Sequence, residues 1–242
     1  MKIELDDGFY FGIGAFETIC MKNGIPVLLE KHLTRLSESL DFMGLKRSVT
    51  SEDVFSYIRT LDDSEKVGKR ILKVAVSEKN VIFSTRNHHY TEEMYQKGFQ
   101  VCISKWRRNE TSPFVSHKIL NHAENIIGKR KASLEKMDEV LFLNTEGFVS
   151  EGSCSNVFFV KGKQLITPSL ECGLLPGVMR DTICKGEEVE ERKIALEEFG
   201  EFDECFLTNS IMGIMSVNRI GNHFFVKRER TEELQEKYRE FF

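Results

Sequence analysis

Three short stretches and one lysine carry groups able to do chemistry. At Gly173-Leu174-Leu175-Pro176-Gly177-Val178-Met179-Arg180 a Gly/Pro turn opens onto a helical stretch. Unpaired amides at such a helix start are able to hold a phosphate, although the same pattern serves as an ordinary loop into a helix. At residues 205–210 an apolar strand runs into Thr208, Asn209 and Ser210, which either complete an anion site or cap a helix over residues 211–215. Glu151-Gly152-Ser153-Cys154-Ser155-Asn156 is a small polar turn between apolar strands. Its carboxylate is either an exposed turn residue or the buried partner of a cation. Lys118 is one of 34 lysines and arginines, and spacing alone does not single it out.

The elements that must position these groups read as a mixture. Residues 24–30 look like a short strand. Leu33, Leu36, Leu40 and Met43 recur at spacings of three and four, which predicts an amphipathic helix over residues 31–45. A second helix is expected after Ser51 as its cap, with Val54, Phe55, Ile58 and Leu61 on its apolar face. The apolar runs on either side of Glu78-Lys79-Asn80 predict a hairpin, as do those flanking residues 144–147 and those flanking Gly162-Lys163. A strand at residues 99–104, a basic loop at 105–108 and a helix over 120–137 complete the pattern. The polar stretch 87–93 is the expected connection between a small N-terminal domain (residues 1–90) and a larger one (residues 96–242). Strands grouped with interspersed helices predict an α+β protein with mostly antiparallel pairing. The lone Gly12-Ile13-Gly14 lacks the third glycine of a dinucleotide fingerprint.

Composition removes several classes. The chain has 242 residues with 40% hydrophobic and 30% charged, the balance of an ordinary globular protein. A net charge of −4 gives no general attraction to nucleic acid or to an anionic membrane, so neither is an expected partner. The six cysteines form no CxxC pair and, with the histidines, no zinc-site spacing, so no metal is expected. Scattered thiols and an opening MKIELDDGFY unlike a signal peptide predict a cytoplasmic protein. No apolar run is long enough to span a bilayer.

In these same places the sequence resembles the class IV aminotransferase family, which includes branched-chain aminotransferases, D-amino-acid aminotransferases and 4-amino-4-deoxychorismate lyases. The matching segments run in order: FGIGAFETI, EKHLTRL, SHKILNHAEN, EGSCSNVFFV, LLPGVMR and FLTNSIMGIMSV. The resemblance implies the two-domain fold-type IV architecture, with a small N-terminal α/β domain and a larger C-terminal one. It also implies pyridoxal 5′-phosphate as cofactor, a small-molecule amino substrate, and a homodimer with the cofactor in the cleft between the domains. By resemblance Lys118 is the catalytic lysine, holding the cofactor as a Schiff base and then moving protons. Glu151 faces the pyridine nitrogen, and Arg35 clamps the phosphate through two bonds. The amides of Val178 and Met179, with Thr208, Asn209 and Ser210, supply further phosphate donors, and Leu175 packs on the ring. His122 stands where several relatives place a tyrosine that contacts the cofactor's phenolic oxygen. The chain begins later than those relatives do, which predicts a trimmed small domain.

Alternation along FETI puts Phe16, Thr18 and Cys20 on one strand face and Glu17 and Ile19 on the other. In the family the first face lines the substrate pocket, although Phe16 is also of a type found in cores. Arg86 is a further possible carboxylate anchor. Among the family's reactions, KWRRNETSPFVSHK and FLTNSIMGIMSV look most like the lyase branch, which expels pyruvate from aminodeoxychorismate and leaves 4-aminobenzoate for folate synthesis. An aminotransferase acting on branched-chain or D-amino acids is the alternative. A family-shaped module that binds without catalysis is a third reading, and the presence of both Lys118 and Glu151 argues against it.

Overall fold

A strand with apolar residues on its inner face and a helix with leucines three and four apart bury each other, and the first part of the chain is built on that pairing. The structure, a computed structural model, describes residues 3–242; Met1 and Lys2, part of the opening stretch read above, lie outside the described residues. The chain divides into two units, one made of residues up to 89, His117–His122 and Phe241–Phe242, the other of Tyr90–Ser116 and Ala123–Glu240. The short segment around Lys118 thus packs with the first unit, while its neighbours in sequence belong to the second.

The first unit contains α1 (Asp7–Phe11), β1 (Ala15–Lys22), β2 (Ile25–Pro26), α2 (Leu29–Phe42), α3 (Ser51–Thr60), α4 (Asp63–Lys66), β3 (Lys69–Val76) and β4 (Val81–Asn87). Its four strands run in the order β2-β1-β3-β4, all antiparallel. Leu33, Leu36 and Leu40 of α2 and Val54 and Ile58 of α3 pack on Ala15, Ile19, Met21, Leu72, Val74 and Val76 of the sheet. Three expectations need correction here. Residues 24–30 form only the two-residue β2, because Leu28 turns left-handed (φ 52°) and α2 starts at the next residue. Thr50, not Ser51, caps α3: its extended backbone lets Thr50 and Asp53 close a reciprocal capping box. Phe55 falls outside the apolar stripe and stays 38% exposed.

The segment 117–122 lies along the start of β1. The amide of Phe16 donates to the Lys118 carbonyl (2.9 Å) and that of Leu120 to the Gly14 carbonyl (2.8 Å). Gly14 is required by this approach: a Cβ there would stand 2.4 Å from the Val76 carbonyl oxygen and 2.6 Å from Leu120 Cδ1.

The second unit contains α5 (Glu92–Lys97), β5 (Phe99–Arg108), α6 (Ala123–Leu134), β6 (Glu139–Asn144), β7 (Val149–Gly152), β8 (Asn156–Lys161), β9 (Gln164–Pro168), α7 (Val178–Gly186), β10 (Val189–Arg192), β11 (Glu204–Asn209), β12 (Gly213–Ile220), β13 (His223–Phe224) and α8 (Glu229–Lys237). Among the described residues these strands form one nine-stranded mixed sheet in the order β10-β9-β8-β11-β12-β5-β6-β7, with β13 beside β12. Its core gathers Leu141, Val157, Phe159, Ile166, Leu207 and Met215 with Phe199, Phe202 and Phe225. The mixed sheets and helices are α+β, as expected. Three expectations differ. Residues 105–108, expected as a basic loop, continue β5 to Arg108, where they pair with β6. The helix expected over 120–137 begins at Ala123, since the Leu120 amide is engaged by Gly14. It stops at Leu134, before Lys136 turns to φ 59°. Residues 211–215 are no helix, because Gly213 at φ 63° starts β12.

Candidate active site

In the first unit, Lys118 is held by its backbone, which spans Phe16 on one side and donates to Ser39 Oγ (3.3 Å) on the other. Its Nζ lies 4.5 Å from the centre of the Phe16 ring. His122 meets the same ring edge-on at 5.3 Å. Phe16 and Thr18 of β1 share a sheet face with Arg86 of β4, because Cys20 pairs with Ile71 and Ile71 with Arg86.

Arg35 comes from the buried side of α2. Its Nε and Nη2 donate to the two oxygens of Glu17 (2.7 and 2.8 Å), so the fork expected to clamp a phosphate closes on a carboxylate of its own unit. His32 Nδ1 lies 2.6 Å from Glu17 Oε2. Burial would raise the Glu17 carboxyl, but the charges and hydrogen bonds of Arg35 and His32 outweigh it and hold the pKa at about 2. Burial pulls the His32 imidazole below its usual value, against the pull of Glu17. Sequence reading gave Glu17 and His32 no role. The available signal was a carboxylate on the apolar side of an alternating strand.

In the second unit the expected residues converge. The Glu151 carboxylate, 7% exposed, accepts the Leu175 amide at 3.0 Å. The Leu175 carbonyl accepts Asn156 Nδ2 at 2.9 Å, so both ends of the polar turn grip the chain just before α7. Asn156 pairs across strands with Thr208. A Cβ on Gly177, the residue capping α7, would stand 2.0 Å from Asn156 Oδ1, so glycine permits the close approach. Val178 and Met179 then supply first-turn amides that no carbonyl of their own helix reaches. Thr208 is fully buried and its Oγ1 has no hydrogen-bond partner in the structure. Asn209 is used locally: its Nδ2 donates to the Cys154 carbonyl (3.0 Å) and its Oδ1 accepts the amides of Ile211 and Met212 (2.9 and 2.8 Å). Ser210 follows, half-buried.

Two supporting groups were not singled out from sequence. Arg108, 8% exposed at the end of β5, sets Nη2 3.3 Å from Glu151 Oε1 and Nη1 2.9 Å from Glu124. Arg107 beside it is exposed, so strand alternation was the signal that separates the pair. Behind the turn, the buried Glu139 accepts from Ser153 Oγ (2.5 Å), Lys129 Nζ (3.1 Å) and Cys154 Sγ (3.1 Å). Desolvation of its sulfur and the Glu139 charge push the Cys154 thiol up to about 12.

The donor set in the second unit fits a phosphate monoester: helix-end amides and a buried hydroxyl lacking a partner. The Glu151 carboxylate fits a protonated ring nitrogen. Both are features of pyridoxal 5′-phosphate. Comparison with known proteins agrees. Residues 14–220 match the amino-transferase class IV family. The chain is 28% identical to the aminodeoxychorismate lyase of Bacillus subtilis (strain 168), over 97% of this chain and 87% of that protein. It is 34% identical to a protein of Thermotoga maritima named "Probable branched-chain-amino-acid aminotransferase", over 88% and 80%. The crystal structure of 4-amino-4-deoxychorismate lyase from Pseudomonas aeruginosa superposes with a TM-score of 0.85 at 25% identity, covering 99% of this chain and 96% of that one. The chain belongs to the class IV aminotransferase family, whose members depend on pyridoxal 5′-phosphate.

Proposed function

We propose that the protein is a 4-amino-4-deoxychorismate lyase, releasing pyruvate and 4-aminobenzoate. What carries this reading is the extent of the likeness: the Pseudomonas aeruginosa lyase is matched over nearly the whole of both chains, at 99% and 96%. An aminotransferase is the second reading, supported by the 34% identity to the Thermotoga maritima protein.

Bound pyridoxal phosphate supplies an electron-withdrawing ring that stabilises negative charge on the carbon bearing the substrate's amino group. The rest falls to this chain's residues. Lys118 holds the cofactor and then takes the proton from that carbon. The Glu151 carboxylate, held in place by the Leu175 amide, keeps the ring nitrogen protonated. The amides of Val178 and Met179, with Thr208, Asn209 and Ser210, bind phosphate oxygens. Leu175 would pack against the ring of the bound cofactor, and His122 would offer it a hydrogen bond. Arg35, whose Nε and Nη2 bind Glu17, also binds the phosphate through its other N–H donors. Phe16, Thr18 and Arg86 meet the substrate.

The test is turnover on a single substrate. Aminodeoxychorismate given to the enzyme without any keto acid should yield pyruvate and 4-aminobenzoate over many cycles. Turnover that requires a keto acid, with no 4-aminobenzoate formed, would replace this reading with the aminotransferase.

A further inference from the structure

One face of the first unit's sheet carries positive charge with no carboxylate set against it among the described residues. Thr18 pairs across strands with Lys73, and Lys73 with Ser84; two positions along, Cys20 pairs with Ile71, and Ile71 with Arg86. Cross-strand partners point to the same side, so Phe16, Thr18, Lys73 and Arg86 all lie on the face turned away from α2. Lys73 Nζ lies 4.6 Å from the centre of the Phe16 ring, and Lys118 Nζ lies 4.5 Å from that same centre.

Two ammonium groups therefore share one aromatic ring. Each is attracted to the ring face, and each repels the other. Burial against the sheet, and then the charge of Arg86, pull the Lys73 ammonium below its usual pKa. Beyond the Phe16 ring, no carboxylate among the described residues of this unit repays that cost. An aliphatic substrate group laid over this face would strip water from Lys73 and give it no partner. An anionic group would answer Lys73 and Arg86 together.

We propose that Lys73 is a specificity-determining residue that, with Arg86, receives an anionic group of the substrate remote from the amino group presented to Lys118. Favoured substrates then carry two negative charges, and aliphatic monocarboxylic amino acids are poor ones. This rests on the reading above in one respect only, that the Phe16 face meets the substrate.

The experiment compares binding of isophthalate, a rigid aromatic dianion, with that of benzoate, its monoanionic counterpart, to the cofactor-loaded protein by calorimetry. Wild type should bind isophthalate about tenfold more tightly, equivalent to ~1.4 kcal/mol. Lys73→Met should bring the two affinities within about twofold, Lys73→Gln should repeat that result with a polar side chain, and Lys73→Arg should keep the preference. Equal affinities in wild type, or an unchanged preference in both neutral variants, would overturn the proposal. Failure of the lyase reading is seen separately: no 4-aminobenzoate released, with the dianion preference intact, sinks the lyase and leaves the Lys73 site standing.

Discussion

Replacing Glu17 with glutamine tests whether the buried carboxylate of β1 is what holds Arg35 in place. The side chain keeps its size and loses its charge. Glu17 is fully buried, and its oxygens take Arg35 Nε at 2.7 Å, Arg35 Nη2 at 2.8 Å and His32 Nδ1 at 2.6 Å. Removing one partner of such a pair takes a two-bond carboxylate from a guanidinium that lies largely out of water, which typically costs about 3–5 kcal/mol. The titration of Glu17 points to the same scale. A carboxyl lowered from 4.5 to about 2 contributes roughly 3 kcal/mol at ~1.4 kcal/mol per pH unit. The sign follows from that lowering: the stabilisation is fully present above pH 4.5 and is lost as pH falls towards 2. Tryptophan fluorescence is the wrong probe, because the sole tryptophan, Trp106, belongs to the second unit. Hydrogen exchange of peptides covering β1 and α2 reads the affected unit directly. At pH 7, Glu17→Gln should speed exchange there by about a hundredfold, the equivalent of roughly 3 kcal/mol. The gap from wild type should narrow as pH is taken below 4.5. Removing Arg35 as well, as Glu17→Gln with Arg35→Met, should recover part of the loss. Exchange within about threefold of wild type in Glu17→Gln would refute the reasoning, since a largely buried guanidinium cannot lose a two-bond carboxylate partner at so small a cost.

Two further outcomes follow from the roles proposed for Lys118 and Glu151. Lys118→Ala should remain folded but lose turnover, and borohydride reduction of wild type followed by peptide mapping should place the pyridoxyl group on Lys118; a label on another lysine would reassign it. Glu151→Gln should still bind cofactor but react about thirty- to a hundredfold more slowly, a loss of ~2–3 kcal/mol, and a rate within twofold of wild type would remove Glu151 from this role.

How far these features were readable depended on how close in sequence their causes lie. The proposed phosphate cradle is made of short runs, Leu175 to Met179 and Thr208 to Ser210, whose turn and helix-start character is local. Physical reading marked them, and left open whether they hold an anion or are an ordinary loop and a cap. Even there the choice between helix cap and strand turn at Asn209 was not local. In both cases the side chain accepts amides just ahead, and the positive φ of Gly213 decides it. The α2 helix and the β3–β4 hairpin were legible because period and turn chemistry suffice. Gly14 was not, since its need for a missing Cβ comes from Leu120, over a hundred positions away. The same long-range pairing displaced the start of α6.

Lys118 is the limiting case. Nothing in its own neighbourhood marks it, and it was found only because SHKILN resembles a family segment. The structure supplies the physical reason that a local pattern could not. The lysine's position is set by β1, through the Phe16 amide, and by α2, through Ser39. The elements that aim it lie some 80 to 100 residues earlier in the chain. Arg35 and Glu17 share the logic. Alternation along FETI put Glu17 with Ile19 on the face opposite Phe16, which the structure shows to be the core side of β1, where an isolated carboxylate is untenable. Reading that placement as a demand for a buried cation, and looking one helix ahead to His32 and Arg35, would have recovered the pair from sequence.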